Sequence, residues 1–198
     1  FLAALVQVGH AQAQAALREA FNARMNEWNE ASSILIAMAQ MQHPDDETLR
    51  LFEKLCDDKK QPRLGGIASL ALGVAAKNLG QPNIVTRFES ELKTIQDTRE
   101  IRHLLLVLGN AGSQKAAETV LQFTQHIDPL VRANAALALR FNTDVQTNDV
   151  MLKMATDDAN EAVRREALHA LAYRTLFPKD LQTIAGLAGG DVDFSVAQ

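Results

Sequence analysis

The 198-residue chain has few cysteines, few aromatic residues and no excess of cations. Its one cysteine, Cys56, excludes an intramolecular disulfide and leaves the cellular compartment open. Aromatic residues make up 5% of the chain although hydrophobic residues make up 47%, so the core must be built chiefly from Ala and Leu. Small aliphatic side chains of this kind suit close packing of one helix on another.

The charge balance and the length of the apolar runs exclude two further classes. Lys and Arg number 20 against 24 Asp and Glu, which gives a net charge of −4. An acidic balance argues against a phosphate-binding surface as the main function, so nucleic acid is not expected as a partner. No apolar run approaches the roughly 18 residues of a membrane-spanning helix, and no membrane span is expected.

Motifs for catalysis, metal binding and nucleotide binding are also missing. None of the five histidines precedes a glutamate, and they lie far apart in the chain. The glycine pairs at 65–66 and 189–190 are not followed by the Lys and Ser/Thr that hold nucleotide phosphates. The acidic runs at 45–47, 57–58 and 157–158 are expected to cap helices rather than hold a cation. The sequence therefore predicts a protein that is not an enzyme, with no catalytic residue, metal or cofactor.

What the chain does contain is a regular alternation of turns and helical segments. Pro, Gly, Asn and Asp recur between segments of about ten to fifteen residues with helical periodicity. The pattern predicts pairs of helices at 27–42 with 45–56, 63–79 with 83–95, 98–109 with 113–125, 129–141 with 146–155 and 160–173 with 178–188, with residues 1–23 ending one more hairpin. Pro44, Pro129 and Pro178 are expected to begin helices, and Asp45, Asp128 and Asp157 or Asp158 to cap first turns.

One helical pattern recurs at a shift of 32 residues, from position 131 to position 163. Residues 131–139 read Val-Arg-Ala-Asn-Ala-Ala-Leu-Ala-Leu, and residues 163–171 read Val-Arg-Arg-Glu-Ala-Leu-His-Ala-Leu. Both form broad stripes of small apolar residues that one hairpin cannot bury alone. We therefore expect an all-α fold, a right-handed α-α superhelix of about five to six helical hairpins. It would form a single solenoid over residues 1–198, as a piece of a larger protein.

An Asp shortly before a Val-Arg-x-x-Ala-x-x-Ala-Leu helix resembles the HEAT repeat. Asp128 with Arg132 and Asp158 with Arg164 match this pattern best. In HEAT arrays such residues commonly tie adjacent turns together, so the resemblance implies that these four residues form a structural ladder between repeats.

A second resemblance rests on residues 106–112, Leu-Val-Leu-Gly-Asn-Ala-Gly, followed by the helix at 131–140, which ends in Arg140. Together they are similar to the helical domain of the vitellogenin-type large lipid-transfer proteins. In that family a curved double layer of helices wraps β-sheets that line a lipid cavity, which implies that this chain is a supporting shell. The alternative is that the motif is only a good turn, in which Gly109 and Gly112 permit positive φ and Asn110 tolerates it.

Two functions follow from these patterns. The first is a binding or scaffold module that presents a curved helical surface to a protein partner. The second is the helical shell of a lipid-carrying protein, which would associate with lipid through the full-length protein. The second helices are expected to line the concave face, and Trp28 either marks a contact surface or is a half-buried residue at a helix start. Partner contacts are predicted at outward polar positions: Lys115, Glu118, Gln122, Asp149, Lys153 and Gln182.

Overall fold

A computed structural model describes residues 10–176 and 178–188. This part of the chain is all-helical, with eleven α-helices and no strand. The helices are Ala11–Arg24 (α1), Trp28–Met38 (α2), Asp46–Asp57 (α3), Pro62–Leu79 (α4), Pro82–Thr94 (α5), Thr98–Ala111 (α6), Ala117–Gln122 (α7), Pro129–Ala138 (α8), Val145–Asp157 (α9), Glu161–Leu171 (α10) and Pro178–Ala188 (α11). Short 3-10 turns follow α7 and α8.

The helices alternate between two positions in a repeat. We call α2, α4, α6, α8 and α10 the first helices, and α3, α5, α7, α9 and α11 the second helices; α1 precedes them in the chain. The ten helices predicted between residues 27 and 188 are all found, with ends that differ by a few residues. The first helices α8 and α10 begin at Pro129 and Glu161, a spacing of 32 residues.

The chain divides into two compact units, residues 1–87 and 88–198, and the division falls within α5. In the first unit α1 packs on α2, α3 packs on α4, and the first helices α2 and α4 pack on each other. In the second unit α8 packs between α6 and α10, and α9 packs on α10 and α11. Contacts of this kind, from each element to its neighbours along the chain, define an α-α helical-repeat fold.

Aspartates cap several helices, as predicted. Asp45 accepts a hydrogen bond from the Thr48 N–H at the start of α3, and Asp128 accepts one from the Leu130 N–H at the start of α8. Each carboxylate satisfies an amide that has no partner within its helix.

Two details of the predicted helix starts were wrong. Pro44 lies outside α3, which begins at Asp46. The cap of α10 is Asn160, whose side chain accepts from the Ala162 N–H, whereas Asp158 accepts from the N–H of Asn160 itself. An asparagine side chain offers the same short oxygen acceptor as an aspartate, so it takes the cap position equally well.

The small-residue stripes form the core of the second unit. Val131, Ala135 and Ala136 on α8, like Val163 and Ala167 on α10, are fully buried. Because these side chains are small, consecutive first helices pack closely through them.

The apolar stripe of α11, formed by Leu181, Ile184, Ala185 and Ala188, has a different environment. Its first member, Leu181, is 54% exposed, and Ala185 is also exposed. The side chain of Ala188, the last member, is not among those that the structure describes. The apolar face of α11 is thus only partly covered by the described part of the chain.

The three residues Gly109, Asn110 and Gly112 do not all act as turn residues. Gly112 has φ +58° and ends α6, as a left-handed C-cap requires. Gly109 lies within α6, and the only described glycines with positive φ are Gly80 and Gly112. The expectation of positive φ at Gly109 was therefore wrong. A Cβ at Gly109 would lie 2.7 Å from Ala138 Cα, so this glycine allows α6 and α8 to approach each other.

Candidate functional site

A partly buried ion pair joins the two best repeats of the second unit. Arg132 Nε and Nη2 donate to the two carboxylate oxygens of Asp158, each at 2.8 Å. The side chains of Arg132 and Asp158 are 18% and 11% exposed. The hydrogen bonds from Arg132 hold the pKa of Asp158 below its usual range, and the same bonds raise the pKa of Arg132. Two parallel N–H···O bonds fix both the distance and the orientation of the pair.

Backbone carbonyls complete this arrangement. Arg132 Nη1 donates to the carbonyl oxygens of His126 and Ile127, at 2.9 and 3.2 Å. Arg164 Nη1 donates to the carbonyl oxygen of Asp158 at 2.8 Å. Of the four predicted ladder residues, Arg132, Asp158 and Arg164 thus lie in one bonded chain, while the side chain of Asp128 caps its own helix. The segment before α8 is thereby joined to the segment after α9.

An open cleft of about 660 Å³ lies beside this ion pair. Its walls are the 124–127 segment on one side and α9 on the other, where Val150, Lys153 and Met154 line it. Ile127 at its edge is 91% exposed, which is unusual for a large apolar side chain. Lys153 and Asp157 on α9 are exposed as well. The cleft thus presents the apolar side chain of Ile127, the ammonium of Lys153 and the carboxylate of Asp157 around the Arg132–Asp158 ion pair.

The histidine in this cleft has its own partners. His126 Nδ1 accepts a hydrogen bond from the Asp128 N–H at 3.0 Å, and its ring stacks on Phe123. Within residues 10–176 and 178–188, no group of three His, Cys, Asp or Glu residues is placed to hold a metal ion.

All six predicted partner-contact residues are exposed. Lys153 lines the cleft, so the structure brings it together with Arg132 and Asp158 of the predicted ladder. The other five positions are distributed along the second helices: Lys115 just before α7, Glu118 and Gln122 on α7, Asp149 on α9 and Gln182 on α11.

Sequence reasoning missed Ile127. The only signal in the sequence is an isoleucine within a polar turn, Gln125-His126-Ile127-Asp128, outside any helical stripe. An apolar residue at a turn has no periodicity to indicate which way it faces.

Trp28 in the first unit is the first residue of α2 and is 37% exposed. The guanidinium carbon of Arg63 lies 4.1 Å from the centre of its ring, a cation–π contact. The structure therefore places Trp28 at a helix start, with one ring face covered by a side chain of α4.

A family model described as the vitellogenin TPR domain matches residues 1–197. The chain belongs to the vitellogenin TPR domain family. The spacing of 32 residues between α8 and α10 is close to the roughly 34 residues of a tetratricopeptide repeat, although the Val-Arg-x-x-Ala pattern resembles HEAT.

A solved structure supports the fold of this vitellogenin TPR domain. It is the crystal structure of an engineered protein from the Northeast Structural Genomics Consortium, 15% identical in sequence, with a TM-score of 0.50. The match covers 99% of this chain and 92% of the engineered chain. At that identity the likeness concerns the fold alone. No curated protein matches the chain.

No helix among the residues that the structure describes is long and apolar enough to cross a membrane.

Proposed function

We propose that this vitellogenin TPR domain is a non-enzymatic helical shell of a lipid-carrying protein. The observation that carries the proposal is the family match over residues 1–197. A shell that surrounds a lipid-binding region must keep its helices in register, because its own packing supports the region inside. Function in such a domain lies in its surfaces and not in a catalytic group.

The side-chain bonds between consecutive hairpins support this role. In the first unit Gln14 donates to the His43 carbonyl and accepts from the Asp45 N–H, which joins α1 to the segment before α3. In the second unit the Arg132–Asp158 pair joins the segment before α8 to the segment after α9. Partly buried bonds of this kind resist sliding of one hairpin along the next.

The test uses the intact protein that contains this domain. Lipids that co-purify are quantified by mass spectrometry per mole of protein, for the wild type and for Arg132→Gln. We expect lipid above background in the wild type and less in Arg132→Gln, because loss of the ion pair loosens the shell. Arg165→Gln is the matched control, since Arg165 is about half exposed on α10. Absence of lipid above background in the intact protein would contradict the shell.

The cleft favours a second function, contact with a protein partner. Ile127 is 91% exposed beside the charged residues Lys153 and Asp157, and an apolar tip with a charged rim is typical of interface contacts. A photo-crosslinking amino acid at position 127 is expected to yield a protein adduct in cells that Lys153→Glu weakens. The same amino acid at the exposed position 161 is the control. Equal yields from positions 127 and 161 would exclude the cleft as a specific contact.

A further inference from the structure

A second cleft, of about 290 Å³, lies where the segments after α8 and α10 meet the start of α9. Arg140 from the first segment and Arg174 from the second both line it, together with Tyr173, Asn148, Thr143 and Thr175. Neither arginine matches the ladder pattern described above, and the proposed shell function does not use this cleft.

Among the residues that the structure describes, no carboxylate accepts a hydrogen bond from either guanidinium group. Arg174 donates to Asn148 Oδ1, the Leu139 and Asp144 carbonyls and Thr147 Oγ1, all of which are neutral acceptors. Arg140 donates to the Leu137 carbonyl at 2.9 Å and to Asn110 Oδ1 at 2.7 Å, which are also neutral. Arg132 in the same unit is instead paired with Asp158. The cleft thus holds two cations whose charge no ion pair within the described residues offsets.

Arg140 keeps donors for a ligand. A guanidinium has five N–H groups, and the two hydrogen bonds of Arg140 leave its Nε–H unused. No buried side-chain nitrogen in the described part of the chain lacks a partner, so this Nε reaches solvent. The Phe141 ring lies 4.5 Å from the Arg140 guanidinium carbon and covers one face of the group. The Arg140 guanidinium is therefore held in place, and its Nε–H remains accessible to a ligand.

Burial adds an energetic reason for an anion here. Burial lowers the pKa of both Arg140 and Arg174, which means that the surroundings of each group disfavour its positive charge. The negative charges of Tyr173 and Asp144, when ionised, act in the opposite direction on Arg140 and Arg174 respectively. A bound anion would offset the same cost more directly.

We propose that this cleft binds a phosphate group, either free or as part of a phospholipid headgroup. Two fixed cations match the charge of a phosphate near neutral pH better than that of a single carboxylate. The hydroxyls of Thr143, Tyr173 and Thr175 add further donors around a tetrahedral anion. A volume of about 290 Å³ accommodates a phosphate with a small polar substituent and excludes acyl chains.

The chain has its own probe for this test, because Tyr173 is its only tyrosine. The full chain is labelled on the tyrosine ring, and its NMR signals are followed during titration with sodium phosphate. Sodium chloride at equal ionic strength and sodium acetate are the reference anions. We expect a saturable shift with phosphate and a weaker response to acetate and chloride. An equal response to phosphate and chloride would overturn the proposal.

Variants separate the cleft from general charge effects. Arg140→Gln is expected to weaken phosphate binding about tenfold or more, as loss of a charged hydrogen bond implies. Arg165→Gln removes the same charge from an exposed position and is expected to bind as the wild type does. Thr175→Val keeps Tyr173 and both arginines, and it is expected to weaken phosphate binding severalfold. It therefore tests the site even if Arg140→Gln fails to fold. Equal losses of phosphate affinity in Arg140→Gln and Arg165→Gln would refute the site. If Arg140→Gln does not fold, unchanged phosphate binding by Thr175→Val would refute it.

Two further measurements distinguish a soluble phosphate from a phospholipid headgroup. Glycerol 3-phosphate is titrated in place of phosphate, and sedimentation is measured with vesicles of phosphatidic acid and of phosphatidylcholine. Arg140-dependent sedimentation with phosphatidic acid supports a headgroup, and titration by the soluble phosphates alone supports a free ligand. No Arg140-dependent response to any of these probes would overturn the proposal.

Discussion

Asn110 Oδ1 accepts a hydrogen bond from Arg140 Nη2 at 2.7 Å. The two residues come from the two stretches that resemble the vitellogenin-type proteins, 106–112 and 131–140, and the structure brings these stretches together. Gly109 in the first stretch packs against Ala138 and Arg140 in the second. The Leu-Gly-Asn-Ala-Gly sequence is thus a contact surface between consecutive first helices as well as a helix end.

Asn110→Ala is expected to lower the free energy of unfolding by about 1–2 kcal/mol, because the partly buried Arg140 loses a charged hydrogen bond. Urea unfolding followed by circular dichroism measures the change. A double-mutant cycle with Arg140→Ala should give a coupling energy of about 1 kcal/mol. Asn134→Ala is the control, since that side chain bonds only within its own helix. Additive effects in the cycle would show that the bond contributes nothing.

Gly109→Ala is expected to destabilise the second unit by about 1–3 kcal/mol through overpacking. The new methyl group would lie 2.7 Å from Ala138 Cα, which is backbone and does not yield easily. Gly186→Ala, on α11, has no atom within 4 Å of the added Cβ and should stabilise the helix by up to about 1 kcal/mol. Opposite signs for the two substitutions are expected in thermal unfolding. A stabilised Gly109→Ala would contradict the close approach of α6 and α8.

Gly80→Ala tests the left-handed helix end in the first unit. Gly80 has φ +63° and no atom within 4 Å of an added Cβ. Any loss of stability in Gly80→Ala therefore comes from the backbone conformation alone. The expected cost is about 1 kcal/mol, measured by urea unfolding. Gly80→Asn should cost less, because asparagine tolerates this region of φ. Equal losses for Ala and Asn would argue that the position is not held at positive φ.

Asp158→Asn is expected to cost about 1–3 kcal/mol near neutral pH, because Arg132 loses the carboxylate that accepts two of its hydrogen bonds in a partly buried site. The pKa of Asp158 is lowered in the folded state from its ordinary value of 3.8 by the hydrogen bonds of Arg132. Its contribution is therefore fully present above pH 3.8 and is lost as the pH falls through the lowered folded value.

The stability difference between the wild type and Asp158→Asn should accordingly shrink in acid. Urea unfolding from pH 7 to pH 2.5 measures it, with Asp157→Asn as the control because Asp157 is exposed and adjacent in sequence. A difference that grows toward low pH would have the wrong sign for this ion pair.

Local interactions account for what could be predicted. The stripes at 131–139 and 163–171 predicted two first helices and most of their buried faces, since helical periodicity decides which side chains share a face. Asp45 and Asp128 were predicted as caps because a cap needs only a short acceptor before a helix. The cap at Asn160 was missed because Asp157 and Asp158 offer the same chemistry two or three residues earlier.

Contacts between repeats were much harder to predict. Ile127 lies in a turn without periodicity, so its exposure beside Lys153 followed only from the fold. The second cleft is lined by both Arg140 and Arg174, which lie 34 residues apart in the chain. Whether either arginine forms an ion pair depends on all the acceptors around it. The acidic net charge of the whole chain contains no information about such a local pair.

The sequence by itself determined the helical class, the order of the helices and the family, because all three depend on short-range periodicity and on motifs of fewer than a dozen residues. The tertiary structure alone decided that Gly109 serves close packing, that Asn110 binds Arg140, and that two arginines share a cleft without a carboxylate. The physical reason is distance along the chain: periodicity orients a side chain on its own helix, whereas its partner across the next repeat is chosen by how the helices pack.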